Sequence, residues 1–266
     1  MSIELPSTVP RESMLGFILA LADDELMLGH RDSEWTGHAP ILEEDIAFSN
    51  LAQDELGHSL VWYTLYEQLT GKSPDSMAFE RAWDEFTCCR FVSYPKGDFA
   101  YTVARQYLFD EAEQVRLAAF GQSSVSQLRE IAGKVIREET YHLLHSRSLV
   151  ERLGDGTEES HHRMQAAVER AFPQALGMFE KLEGEDALIN AGVFPGNDLI
   201  REQWLNRVVP LLKSATLTLP VCGQHGSYAA TIRADEGGRK RSHTQHLKQL
   251  VDDLQQVYRI APSAKW

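Results

Sequence analysis

Apolar residues recur along this chain in alternating steps of three and four, the spacing that lines one face of an α-helix, and strand-like alternation is scarce. The pattern predicts a first helix from about Glu12 to His30 and a second from about Leu42 to Leu69, joined by "RDSEWTGHAP", where Gly37 and Pro40 mark a loop. After "TGKSPDS" a crossover of nearly thirty residues carries a short helical piece around Met77 to Cys88 and ends at "YPKGD". Loops in simple up-down bundles run ~2–8 residues, so this length predicts a bundle with one long crossover. A third helix is expected from about Phe99 to Phe120 and a fourth from about Ser124 to Leu153, stopped by "GDG". Thr157 can cap a fifth that runs toward Lys181, with Pro173 as a kink or break. "GVFPGND" reads as loop, and two more helices, about Asp198 to Ser214 and Arg239 to Ile260, flank "TLPVCGQHGS" and a Gly-rich turn. The expected fold is all-α, a single domain over residues 1–266 with a bundle core at about 12–153 and a helical extension at about 157–266.

Polar residues interrupt the apolar stripes near mid-helix. In the second helix Phe48, Leu51, Glu55, His58, Trp62 and Leu65 share one face, and in the fourth Val135, Glu139, His142, Ser146 and Leu149 do. The first helix carries Glu25 between Leu21 and Leu28, and the third carries Asp110 between Tyr107 and Leu117. Glu25 precedes Glu55 by 30 residues and Asp110 precedes Glu139 by 29, a weak internal repeat of two helix pairs.

Four carboxylates in one core would repel each other unless they were protonated, paired with cations or bound to metal. The stripes bring no Lys or Arg to neutralise them. A Glu and a His three residues apart on a helix aim at one point. One carboxylate from each of two helices with a Glu-x-x-His from each of two others is the ligand set of ferritin-like di-iron or di-manganese bundles. The candidate metal ligands are therefore Glu25, Glu55, His58, Asp110, Glu139 and His142, with two Fe ions, or Mn, as the expected cofactor. Asp110 is a shorter arm than the Glu usual there. The spacing alone is not selective, because Glu158/His161 and Glu159/His162 repeat it at a polar helix start, where they read as solvated capping residues. Glu138 and Glu111 stand beside Glu139 and Asp110 as competitors, and wrongly phased helix faces would make the whole set solvated. Tyr107 and Trp62, one turn from proposed ligands, read as core packing before pocket lining.

Composition narrows the function classes. A formal charge of −13 argues against nucleic acid or an anionic membrane as partner. The basic stretch "GGRKRSH" is short and reads as a solvated lead into the last helix. Cys88 and Cys89 are adjacent and Cys222 stands alone, so no C-x-x-C spacing exists and disulfide pairing is not expected. The N-terminus shows no signal-peptide pattern and no run approaches a membrane span of ~20 apolar residues, so the expected location is the cytoplasm.

The stretches "LADDELMLGHRDSEWTGHAPILEEDIAFSNLA", "GDFAYTVARQYLFD" and "YHLLHSRSLVERLGDGTEESHHRMQAA" resemble the ferritin-like subunits of the bacterial ring-1,2-phenylacetyl-CoA epoxidase, over most of the chain. These stretches are similar to the C subunit. "QDELGH" and "REETYH" are instead similar to the metal motifs of the A subunit, as are Glu25, ten residues before Trp35, and Asp110, 32 residues before His142. C subunits typically lack the ligand set and support a catalytic A subunit. The resemblance implies a cytoplasmic, multi-subunit monooxygenase that epoxidises the ring of phenylacetyl-CoA or a similar acyl-CoA, with Glu55 and Glu139 bridging two irons. It further implies a related ferritin-like subunit or a second copy as partner, and a separate reductase that passes electrons from NADPH. This chain has no dinucleotide fingerprint and no iron–sulfur cysteines, so no flavin or NAD site is expected. The alternative is a non-catalytic subunit that supports a separate catalytic chain. A ferroxidase or iron-storage role fits less well with the long crossover and C-terminal helices.

Overall fold

The computed structural model describes residues 5–224, 226–262 and 264. Helix α1 spans Arg11–Ser33 and α2 spans Leu42–Thr70, both close to expectation. Glu43, Glu44 and Asp45 set negative charge on the first turn of α2, where the helix dipole favours it. At the other end Gly71 takes the left-handed conformation, φ 78°, and donates its N–H to the Glu67 carbonyl.

The crossover holds three short pieces rather than one: α3 (Pro74–Phe79), a 3-10 turn (Trp83–Glu85) and α4 (Arg90–Ser93). Helix cannot run on to Cys88 because the backbone N–H groups of Thr87 and Cys89 are spent on the Asp23 and Asp24 carboxylates, each at 2.7 Å. Helix α5 covers Phe99–Phe120 as predicted, started by Asp98, whose carboxylate accepts the Tyr101 N–H at 2.9 Å. Next come α6 (Ser126–Gly154) and α7 (Glu158–Leu176), the latter capped by Thr157. Pro173 is accommodated inside α7, which ends three residues later in a 3-10 turn at Gly177–Phe179 rather than reaching Lys181.

Helix α8 (Glu185–Asn190), unforeseen, precedes α9 (Asn197–Ser214). Strands β1 (Val221–Gln224) and β2 (Ser227–Ala230) then pair antiparallel, Val221 opposite Ala230 and Gly223 opposite Tyr228. "TLPVCGQHGS" thus contains a strand and not only loop; with one true apolar residue in β1, it offers no alternation to read. The expected final helix from Arg239 to Ile260 is also replaced, by a 3-10 turn at Gly238–Lys240, then α10 (Gln245–Leu254) and α11 (Gln256–Ile260). Arg241 is left-handed, φ 59°, and a Cβ on Gly238 would lie 2.4 Å from the Cys88 carbonyl oxygen, so a regular helix cannot form there.

The all-α class expected from the periodicity is what the chain has, with the hairpin as its sheet among the described residues. Two compact units divide it, one made of residues 15–95 with 237–262 and the other of residues 5–14 with 96–236. In the first unit α10 buries Leu247, Leu250 and Val251, and Tyr258 stacks on Phe79 with ring centroids 5.4 Å apart. In the second, α5 is buried almost all round by α6, α7 and α9. Trp204 of α9 anchors it, donating from its indole to the Leu108 carbonyl at 2.9 Å and stacking on Phe172. Cys88 and Cys89 are buried and Cys222 is exposed, and none of the three is in a disulfide. No described helix is long and apolar enough to cross a membrane.

Candidate metal centre

In the first unit Glu25 projects from α1, and Glu55 and His58 project from successive turns of α2. All three are buried, and each offers a ligand atom within 4.8 Å of the other two. His58 Nδ1 lies 3.7 Å from Glu55 Oε2. The two helices come together at Gly29, one turn beyond Glu25. A Cβ there would meet Glu55 Cβ at 3.0 Å, the Ala52 carbonyl oxygen at 3.1 Å and Leu56 Cγ at 3.2 Å, so only glycine lets the backbones approach this closely. The Ser59 hydroxyl, donating to the Ala22 carbonyl at 3.0 Å, ties the same crossing.

Glu25 follows two other buried acids, and the three have different fates. Asp23 accepts hydrogen bonds from the Tyr63 hydroxyl (2.5 Å), from Arg81 (2.5 and 3.1 Å) and from the backbone and hydroxyl of Thr87 (2.7 and 3.0 Å). Asp24 accepts from Cys89 N–H at 2.7 Å and, bidentately, from Arg239 at 2.8 and 2.6 Å. Burial pushes the Tyr63 hydroxyl and the Cys88 thiol well above their ordinary values, and the Asp23 carboxylate pushes both further in the same direction. Burial works against charge on both guanidiniums, yet Asp23 with Tyr63 around Arg81, and Asp24 with Cys89 and Cys88 around Arg239, together hold them charged beyond their usual range. The sequence reading missed this network. It also took "GGRKRSH" as a solvated stretch, whereas the Arg239 side chain is buried on Asp24 and His243 hydrogen-bonds the Phe86 carbonyl at 2.7 Å. The available signal was "ADDE" in an otherwise apolar segment of α1, since three successive acids cannot all face water there.

In the second unit Asp110 of α5 and Glu139 and His142 of α6 are all buried. His142 Nδ1 lies 3.3 Å from Glu139 Oε1. Both oxygens of Asp110 are engaged: Gln106 Nε2 donates to Oδ1 at 2.8 Å, and the Ser146 hydroxyl donates to Oδ2 at 2.5 Å. Ser146 sits one turn beyond His142, so it draws Asp110 onto the face of α6 that carries Glu139 and His142. Glu138 is exposed, and Glu111 is paired with Arg207 at 2.5 Å. Glu158 and Glu159 are solvated at the start of α7, with Glu159 on Arg163 at 2.6 Å. Trp62 and Tyr107 are fully buried, and burial raises the Tyr107 hydroxyl well above its ordinary value.

Each unit thus supplies two buried carboxylates and one imidazole. That donor set fits iron or manganese: hard oxygens with a single borderline nitrogen per metal, too few nitrogens and no thiolate for a structural zinc site.

A family model described as phenylacetic acid catabolic protein matches residues 4–266. The chain is 34% identical over 254 residues to the C subunit of 1,2-phenylacetyl-CoA epoxidase from Escherichia coli K12, covering 95% of this chain and 99% of that protein. It is 23% identical over 218 residues to the A subunit of the same enzyme, covering 79% of this chain and 69% of that one.

Proposed function

Because the chain belongs to the family of phenylacetic acid catabolic proteins, we propose that it is the di-iron carboxylate subunit of a multicomponent monooxygenase that epoxidises the aromatic ring of phenylacetyl-CoA or a related aryl-CoA. The observation that carries this reading is the buried Glu25–Glu55–His58 triad, with ligand atoms within 4.8 Å, together with three more buried residues of the same kinds, Asp110, Glu139 and His142. In this proposal Glu25, Glu55 and His58 would hold one metal ion and Asp110, Glu139 and His142 the other. When bound, the metal pair supplies the two-electron activation of O2, with one oxygen atom passing to the ring and the other leaving as water.

The chain's own residues prepare that chemistry. The six ligands lie out of bulk water, so a charged metal cluster is the favourable way to satisfy them. Gln106 and Ser146 fix the orientation of Asp110 from both sides. Arg81 and Arg239 neutralise Asp23 and Asp24, so their charge does not add to that of Glu25 next in sequence. Electrons come from NADPH through a separate reductase, and the assembly works in the cytoplasm with a related ferritin-like subunit or a second copy.

A second reading, a non-catalytic subunit that supports a separate catalytic chain, is favoured by the higher identity to the epoxidase's C subunit than to its A subunit, 34% against 23%. One experiment separates the two. Protein expressed with added iron should carry about two irons per chain and should oxygenate phenylacetyl-CoA when given NADPH and reductase, with activity lost in Glu55→Ala. Protein that takes up no metal would leave the supporting role.

A further inference from the structure

In the second unit an open groove of about 730 Å³ lies between strand β2 and the first half of α9. All four residues of β2, Ser227 to Ala230, line it and no described residue of β1 does, so the groove follows the outer edge of the strand and not the face of the hairpin. The ladder shows which backbone groups point that way. Thr231 donates its N–H to the Pro220 carbonyl at 2.8 Å, and along an antiparallel pair the residues that bond across alternate with residues that do not. Ala229 opposite Cys222 and Ser227 opposite Gln224 therefore bond to β1, whereas Tyr228 and Ala230 turn their N–H and C=O groups outward. The sheet has two strands, so these donors and acceptors have no strand partner among the described residues. Leu176, Leu199, Leu205 and Ile232 make the rest of the groove apolar, with Leu199 and Ile232 each 42% exposed. Its charge is acidic: Arg201 is held by Asp198 at 2.9 Å, and no described ion pair engages Glu202 or Glu236.

We propose that this groove docks an extended segment of another protein, one that alternates aliphatic and basic residues and adds to β2 as a third strand. Each feature of the groove selects part of that chemistry. The outward N–H and C=O groups of Tyr228 and Ala230 give an added strand its backbone hydrogen bonds. A helix keeps its backbone groups for itself and cannot use them. Side chains of a strand point alternately to its two faces, so every second residue of the segment can be set against Leu199, Leu205 and Ile232. Basic residues between them meet Glu202 and Glu236, both exposed at the rim, while an acidic or phosphorylated segment is repelled. The same complementarity disfavours a second copy, since this chain carries a formal charge of −13. None of the lining residues is a proposed ligand, so the groove and the metal centre stand or fall separately.

Titration of the full chain with a blocked peptide of alternating lysine and valine, read by calorimetry and by amide hydrogen exchange, tests it. Binding should slow exchange at Tyr228 and Ala230 and leave Ser227 and Ala229, already bonded to β1, unchanged. The same peptide with its amides N-methylated should bind at least tenfold more weakly, and so should a glutamate–valine peptide. On the protein side, Glu202→Lys/Glu236→Lys should lose at least tenfold in affinity for the lysine peptide and gain affinity for the glutamate one, with circular dichroism unchanged. Ala230→Pro removes an outward donor without touching the bonds to β1, and it should weaken both. A lysine–valine peptide that does not bind, that binds while Tyr228 and Ala230 exchange as before, or that is indifferent to the charge reversal overturns the proposal. So does protection of these two amides that grows with chain concentration alone, which would give the groove to a second copy.

Discussion

The Asp24 carboxylate and the Arg239 guanidinium meet at 2.6 Å although 215 residues separate them in the chain. Both side chains are buried, and the pair joins α1 to the turn that leads into α10. Removing one partner of such a pair leaves a buried charge uncompensated and typically costs about 3–5 kcal/mol. Arg239→Ala should lower the urea midpoint by that margin. The double variant Asp24→Ala/Arg239→Ala should cost less than the sum of the two single losses. A loss below about 1 kcal/mol in Arg239→Ala would mean that the contact is solvated.

Ser146 should matter to metal rather than to folding alone. Its hydroxyl holds Asp110 Oδ2 at 2.5 Å, and loss of a partner that orients a ligand typically costs 10–100-fold in affinity. Ser146→Ala is expected to bind Fe(II) or Co(II) at least about tenfold more weakly in chelator competition. Unchanged affinity would remove Asp110 from the ligand set.

Two glycines should respond to alanine with opposite signs. At Gly29 the added methyl lies 3.0 Å from Glu55 Cβ, so Gly29→Ala should cost about 1–3 kcal/mol and weaken metal binding. At Gly133, exposed on α6 with nothing within 4 Å, Gly133→Ala should stabilise by up to about 1 kcal/mol. Denaturation midpoints of the two variants read both signs.

Acid should weaken the fold before the carboxylates titrate. Burial lowers the imidazoles of His30 and His243 below their ordinary value, against the pull of Glu34 on the first and the Phe86 carbonyl on the second. Unfolded histidines bind protons at about pH 6.5, whereas these two resist until lower pH in the folded chain. Between those points the unfolded state holds more protons, so stability is complete above about pH 6.5 and declines as pH falls through the window. His30→Gln and His243→Gln should each flatten the slope of midpoint against pH in that range, whatever they do to stability at pH 8.

Local signals explain what could be read from the sequence alone. Helix α5 was bounded correctly because Asp98 and Gly121 mark its ends within the sequence itself. Glu139 was separable from Glu138 because only one of them continues the stripe through Val135 and His142. The reading failed where partners are distant. Asp23 and Asp24 are satisfied by Arg81 and Arg239, 58 and 215 residues away, and the same bonds straighten residues 87–89 where the periodicity suggested helix. The hairpin escaped for another reason: "VCGQ" and "SYAA" have almost no apolar alternation, and their pairing depends on the backbone ladder.

The three adjacent acids of α1 also fix the position of that helix along its axis and about it. Sliding α1 by a single residue would turn each side chain by about 100°, taking Asp23 from Arg81, Asp24 from Arg239 and Glu25 from Glu55 in one step. The two arginine pairs therefore act as alignment keys. If the proposed centre holds, the Glu25, Glu55 and His58 donors share their alignment with two arginine pairs, so Arg81→Ala or Arg239→Ala would disturb metal binding from outside the ligand set.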